Sequence, residues 1–414
     1  MVLNLTSFDA ALKQHYKPQK ISSLVYPDNP LLAMLPKYEK FGGRNMPVIV
    51  KRGNPQGRSA TFATAQTNVG NTGLEDFLLT RVSDYGVARV DNETLEASVG
   101  DKNAFVQAVT LEIDSMIEEV ARSLAIQLYG TGGGSRGQIA STQTLSSAVI
   151  TLEDAEDITN FEVGQVLVAS TAESSTTVKQ TSSVDNTYTI ISIDRSAGTM
   201  SGSTNGGAPG LDGFTSNDWA ASDFLFQQGD ADAMVTGLRG WLPATAPSAG
   251  DAFFGVDRSV DASRLAGQRF DGSALPIEEA LIEGASLAAR EGGKPDTCFM
   301  AYGKWADLEK ALGSKVQYID LPGPGSIGFR GIVVYGPRGP INVVPDQNCP
   351  STRAFMLDIK SFALNSIGAA PKILMSDGNR MLRVSDADQV EVRVGYYAQL
   401  GCNAPGHNVN INLG

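Results

Sequence analysis

The sequence predicts an α+β fold, largely built of short strands around one long helix. Three observations predict it. Residues 103–129 carry a single apolar stripe at helical spacing, and residues 41–95 read as a long polar hairpin. From residue 145 onward, short β-prone runs alternate with Gly, Asn and Asp turns, and only two further helix-like stretches interrupt them. At 414 residues the chain is too long for one ordinary core, so two or three domains are expected. Its 42% hydrophobic and 19% charged content is that of a folded soluble protein. The 44 glycines point to a loop-rich, β-dominated chain.

The helix follows from its periodicity. Val109, Ile113, Met116, Ile117, Val120, Leu124 and Leu128 recur at i, i+3 and i+4, which places them on one face. Glu112, Ser115, Glu118, Glu119, Arg122 and Ser123 take the opposite side. Gly130 follows as the C-terminal stop. At about 1.5 Å per residue the helix runs roughly 40 Å, long for a globular domain.

Ahead of it, Asn45 to Arg52 and Thr80 to Val90 read as two strands, joined through a polar tip containing Gly53, Gly57, Gly70 and Gly73. A hairpin with so little apolar content makes no core alone. No segment of the chain is an obvious cover, which points to a subunit completed by its neighbours. Residues 1–40 read as an arm in which Thr6 to Tyr16 fits a short helix. Pro18, Pro27, Pro30 and Pro36 then block a continuous helix or central strand. Leu31, Leu32 and Leu35 still need apolar cover, and an extended strap lying on a partner subunit would supply it.

From 145 to 206 the composition changes. Ala148–Leu152, Gln165–Ala169 and Tyr188–Ile193 are β-prone, and Ser and Thr supply 17 of the 35 residues from Ser170 to Thr204. This segment reads as an inserted antiparallel β module. Beyond it, Ser273, Pro276 and Glu278 open a helix that Gly292-Gly293 ends, Thr297 to Ala301 is a short buried strand, and Lys304 to Leu312 a second helix. From Gly331 the chain is strand-dominated, with Ile332–Tyr335, Ala354–Ile359, Val390–Val394 and Tyr396–Leu400 as strands.

Catalytic chemistry finds little support. Gly132-Gly-Gly-Ser-Arg-Gly137 matches the G-x-G-x-x-G string, but dinucleotide binding needs a strand before it and a helix after it; here a helix precedes it. A helix-terminating connector is the expected reading, with a dinucleotide-binding oxidoreductase as the remote alternative. The two histidines, His15 and His407, have no partner nearby in sequence. Asp230, Asp232, Asp251 and Asp257 read as solvated loop carboxylates. Cys298, Cys349 and Cys402 lack metal-ligand or disulfide spacing. No catalytic, metal or cofactor-binding residue is expected, and no enzyme. The N-terminus lacks the basic and apolar regions of an export signal, and no apolar run approaches the roughly 18 residues of a membrane span.

Charge points to self-association instead. Net charge is −12, so gripping DNA through phosphate neutralisation is not expected, although a wall merely facing nucleic acid is allowed. Between Lys51 and Lys294 only Lys102 and Lys179 occur, and Arg52, Arg58, Arg81 and Arg89 carry the hairpin's positive charge. Arginine pairs bidentately with carboxylates at interfaces. Glu112, Glu118 and Glu119 are its natural partners if a neighbour's hairpin crosses the helix.

This order of parts resembles the major capsid protein of tailed bacteriophages, the Hong Kong 97-type fold. The matching parts are an N-terminal arm (1–40), an extended-loop hairpin (41–95) and a spine helix (101–130). The Gly-rich link Tyr129 to Ile139 resembles the turn leaving that helix. The Ser273–Leu312 segment is similar to the rest of a peripheral domain (96–144 and 207–330), and 331–414 to an axial domain, with 145–206 inserted. The resemblance implies a virion shell subunit, made in the host cytoplasm and assembling as pentamers and hexamers. The shell encloses double-stranded DNA without specific binding, and the loop and arm lie over neighbours. It also implies a portal protein. Some members link a loop lysine to a neighbouring asparagine, but Lys51 sits at the hairpin base, so no cross-link is expected. Some carry an N-terminal scaffolding segment; this sequence opens with its arm, implying a separate scaffolding protein. The β module is expected to project outward, stabilising capsomers or holding a decoration protein. A bacterial encapsulin-like nanocompartment shell shares the fold and is the alternative.

Overall fold

The computed structural model describes residues 29–93, 102–143, 149–181, 184–204, 219–312, 318–321, 329–375, 378, 381–385 and 387–414. The arm helix expected at Thr6 to Tyr16, and His15 within it, lie outside the described residues.

The long helix spans Lys102–Gln127, and the Gly130 N–H closes its end on the Gln127 carbonyl. Its stripe faces inward: Val120, Leu124 and Leu128 are buried, and Met116 and Ile117 pack against the same core. The helix crosses the strand Val82–Asp91. That strand pairs antiparallel, residue for residue, with the strand Gln389–Cys402. Gly86 sits at the crossing, where a Cβ would lie 2.5 Å from Met116 Sδ and 2.8 Å from Val120 Cγ2. Helix and strand meet this closely only because position 86 has no side chain.

Gln389–Cys402 is one continuous strand where two were expected, and it is the axis of a six-stranded sheet. Phe362–Ser366, Lys372–Ile373, Leu382–Arg383 and Val82–Asp91 pair with it, and Lys37–Tyr38 adds in parallel to Phe362–Ser366. The expected hairpin return strand therefore needs correction. Asn45–Gly53 pairs with Gly73–Thr80, from Asn45 opposite Thr80 to Gly53 opposite Gly73. Residues 82–91 belong to the sheet instead. Both strands alternate at period two: Phe77 and Leu79 point into the core on one, and Gly86, Ala88 and Val90 are buried on the other.

One core joins the helix, this sheet and the hairpin base, with Trp241, Phe299 and Phe355 among its large side chains. Leu31, Leu32 and Leu35 lie inside it, which corrects the expectation that a partner subunit covers them. Their short helix, Pro30–Met34, is anchored by Asp346. One Asp346 oxygen accepts from the Tyr129 hydroxyl at 2.8 Å and the Leu31 N–H at 3.4 Å, and the other from the Asn348 N–H at 2.9 Å. Burial raises the pKa of both the Asp346 carboxyl and the Tyr129 hydroxyl.

A second core lies between a seven-stranded mixed sheet and the helices Ile277–Arg290 and Tyr302–Leu312. The sheet order is Gln268–Asp271, Val409–Asn412, Arg353–Leu357, Thr297–Met300, Gly339–Pro345, Phe329–Gly336, Tyr318–Leu321. It takes strands from both sides of residue 330, so the expected boundary there divides no structural unit. The third core is the inserted module, a six-stranded sheet ordered Ser135–Gln138, Phe224–Gln227, Val166–Ser170, Tyr188–Asp194, Thr199–Thr204, Val149–Thr151. Its first and last strands meet through an Ile139–Leu152 bridge, with Ala140 N–H donating to Thr151 O and Glu153 N–H to Gln138 O. The module is thus a closed barrel, filled by Ile150, Phe161, Leu167, Tyr188, Ile190, Met200 and Leu225. Its strands Ser135–Gln138 and Phe224–Gln227 lie outside the segment 145–206 that composition marked.

The Gly-rich link seats the barrel on the helix end. Gly132 and Gly134 take positive φ, and a Cβ on Gly133 would lie 2.0 Å from the Glu173 carbonyl. Arg122, almost fully buried, reaches from the helix to Glu162 Oε1 at 2.8 Å and to the Thr159 carbonyl. Two substitutions check these packings. Val120→Asp puts an unpaired charge into the main core and is expected to cost about 3–5 kcal/mol, read as a large fall in melting temperature. Asp346→Ala leaves the Tyr129 hydroxyl and Leu31 N–H without acceptors, a cost of about 1–3 kcal/mol each. Limited proteolysis should then cut residues 29–41 faster than in wild type.

Candidate inter-subunit surfaces

The hairpin has two unlike faces. Val50, Phe77 and Leu79 turn inward, where Phe77 meets Trp241 edge-on at 5.2 Å and Phe253 at 6.3 Å. The tab Ala252–Asp257 closes over this base. Phe254, at φ 46°, presents its carbonyl to the Leu78 N–H at 3.0 Å, and Arg258 stacks on the Phe253 ring at 3.8 Å. The outward face carries Ile49, Leu74 and Leu78, 62%, 58% and 43% exposed. At the tip a helix, Phe62–Thr67, buries none of its residues; Phe62 is 79% exposed and nearby Val69 74%. Large apolar side chains clustered on a projecting element mark an interaction surface.

The candidate charged residues separate into two groups. Arg58 is exposed on the tip. Arg52 lies 2.8 Å from Glu75 across the hairpin. Arg81 works within its own chain, donating to the Phe41 and Gly43 carbonyls and lying 4.9 Å above the Phe41 ring. Arg89 pairs with Glu391 at 2.9 Å, and Arg393 reaches the same carboxylate at 2.6 Å. Hydrogen bonding from Arg393 is the main cause holding the Glu391 carboxyl below its ordinary range. Within one chain the structure does not bring these arginines to the helix acids. Glu112 is half-buried and Glu118 exposed, while Glu119 pairs with Arg122 at 3.5 Å.

Of the loop carboxylates, Asp232 and Asp251 are exposed as expected, and Asp230 is the one that is not. Asp257 caps the turn Arg258–Asp261, accepting from Ser259 N–H. Asp230 is not solvated: it is buried and lies 3.4 Å from Arg136. His407 lines a shallow cleft of about 390 Å³ with Lys51, Arg52, Arg264 and Glu291. All three cysteines are buried and free, and desolvation pushes the Cys298 and Cys402 thiols up to about 12. Among the described residues no group of three or more His, Cys, Asp or Glu is arranged to hold a metal ion. Sequence reading missed the outward apolar row Ile49, Leu74 and Leu78 and the tab at Phe253 and Phe254. Alternation across residues 73–80 could have revealed the row; nothing local marks the tab.

No protein-family model matches the sequence, and no curated protein matches it. Solved structures do. The chain is similar to the capsid asymmetric unit of cyanophage A-1(L), with a TM-score of 0.55 at 12% identity over 98% of both chains. Weaker likenesses are to the capsid of a native GTA particle (TM-score 0.49, 8% identity, 100% and 99% covered). The SrpI encapsulin of Synechococcus elongatus gives 0.45 at 8% identity, with 100% and 95% covered. At these identities, likeness speaks to fold. The chain has the α+β fold of a tailed-phage major capsid protein, the Hong Kong 97-type fold.

Proposed function

We propose that this chain is the major capsid protein of a tailed bacteriophage, self-assembling as hexamers and pentamers into an icosahedral shell around double-stranded DNA. One observation carries the reading: a chain with a phage-capsid fold projects a hairpin whose outward face and tip are apolar and uncovered by the subunit itself. A monomer gains nothing from exposing Phe62, Val69, Ile49 and Leu74 together, whereas a neighbour that covers them gains the hydrophobic stabilisation. Arg52 and Arg58 would meet Glu112, Glu118 or Glu119 of that neighbour. The net charge of −12 suits a wall that encloses DNA without holding it.

Assembly in the host cytoplasm with a separate scaffolding protein and a portal completes the reading. The barrel would stabilise capsomers or hold a decoration protein. Electron microscopy of the expressed protein, alone and with candidate scaffold, tests the whole. Large shells support it; monomers under every condition overturn it, and small shells filled with protein cargo would identify an encapsulin instead. Replacing residues 54–72 by a tight turn leaves Val50, Phe77 and Leu79 in place. The variant is expected to melt within a few degrees of wild type yet form no stable shell.

A further inference from the structure

The barrel, the long helix and the strand pair meet around one buried polar cluster. Arg136 comes from the barrel and is 3% exposed; Asp230 comes from the loop after its strand Phe224–Gln227. Ser123 and Gln127, both buried, face them from the helix. Asp84 and Tyr396 face them from Val82–Asp91 and Gln389–Cys402. Only one guanidinium nitrogen is engaged: Arg136 Nη2 donates to Ser123 Oγ at 3.2 Å and to Asp230 Oδ2 at 3.4 Å. Arg136 Nε and Nη1 and Gln127 Oε1 are buried without a hydrogen-bond partner, and the Tyr396 hydroxyl has only the Asp84 carboxylate to turn to. Buried polar atoms are ordinarily paired, so three orphans at one three-way contact call for an explanation.

Charge counting supplies one. Two carboxylates face one guanidinium, and among the described residues no other charged group lies among the facing side chains: the helix offers Ser123 and Gln127, and the strand pair adds only the neutral Tyr396 hydroxyl. Arg122, next along the helix, turns to Glu162. With both carboxyls ionised the site holds an uncompensated negative charge largely withdrawn from water, which is costly. One proton removes it. We propose that this junction is a proton-operated latch, in which a single proton held by Asp230 beside Asp84 keeps the barrel seated on the helix and strand pair, and loss of that proton loosens the seat.

The electrostatics agree. Burial pushes the Asp230 carboxyl up to about 7, with Arg136 opposing the shift and Asp84 adding to it. A carboxyl whose folded value lies above its unfolded value of 3.8 holds a proton that the unfolded chain has already lost. Its stabilising contribution is therefore complete below about pH 4 and disappears as pH rises through about 7. Near neutral pH the latch stands close to its midpoint. Asp157 is also pushed up to about 7 and Asp346 and Glu156 are raised, but these remain in every variant below and cancel in the differences.

The test compares full-length wild type, Asp230→Asn and Asp84→Asn between pH 5 and 8, by thermal melting and by hydrogen exchange of residues 132–138 and 228–237. The amide of Asp230→Asn stands for the protonated carboxyl. It should exceed wild type in melting temperature by a margin that is small at pH 5 and grows to its largest at pH 8, and show no pH-driven rise in exchange at the junction. Asp84→Asn should shift the wild-type rise in exchange to lower pH, and it decides the matter even if Asp230→Asn folds poorly. A melting difference unchanged across this range, or one in which Asp230→Asn is weakened most at pH 8, would overturn the latch and identify Asp230 as an ion-paired carboxylate. So would an exchange profile unmoved by Asp84→Asn. Shell assembly does not enter these measurements, so their failure leaves the capsid reading untouched.

Discussion

The contact between Lys102–Gln127 and Val82–Asp91 fixes where everything else in the subunit sits. A long helix can lie flat on a strand only where some side chain gives way, and here Gly86 gives way to Met116 and Val120. Once that crossing is set, the strand's full-length pairing with Gln389–Cys402 carries the orientation into the six-stranded sheet. The helix end then positions the barrel through the closely packed glycines of residues 132–134. The hairpin takes its direction from the same source. Its return strand ends at Thr80 and the crossing strand begins at Val82, so one residue separates the projecting element from the fixed one.

That arrangement gives the polar connections a role that differs from stabilisation. Arg122 reaches from the helix to Glu162 on the barrel, and Arg136, paired with Asp230 within the barrel, reaches back to Ser123 on the helix. Buried ion pairs add little net stability once desolvation is counted, but they penalise every alternative in which a partner is missing. These two contacts, within about two helical turns of the crossing at Gly86, hold the barrel against the helix. On the proposed function, orientation matters more than strength, because small angular errors accumulate around a closed ring.

Much of this was legible in the chain, and what was not shares one cause. The helix showed itself because seven apolar residues repeat on one face, and the helix before Gly292 because its start and stop chemistry are local. The hairpin's partner strand was misread because 73–80 and 82–91 both alternate and only Arg81 lies between them. The strap leucines seemed uncovered because their anchor is remote: Leu31 and Asp346 are 315 residues apart. Asp230 looked like an ordinary loop acid because Arg136 lies 94 residues away. Periodicity and capping report what a segment does by itself; they are silent on which distant segment buries it. The interfacial leucines and the solvated Asp230 failed for that reason.

The distribution of open strand edges limits indiscriminate strand pairing. Unpaired edges invite indiscriminate strand addition, and the barrel has no terminal edge strand among the described residues, since Ile139 and Leu152 close it. The hairpin is a two-stranded ribbon, so both its outer edges are at risk, yet both are blunted near the base. The Leu78 N–H points away from the hairpin to the Phe254 carbonyl, so Leu78 and its partner Pro47 form a non-hydrogen-bonded pair. An amide N–H at position 47 would therefore face the open edge, and proline has none to offer. With Pro47 on one edge and the Phe254 tab on the other, the hairpin base is a poor template for another strand. What remains available is its outward face, the row Ile49, Leu74 and Leu78, together with the tip at Phe62. Side-chain recognition of that kind depends on shape and register, as repeated placement of identical subunits requires, whereas edge pairing would accept almost any extended chain.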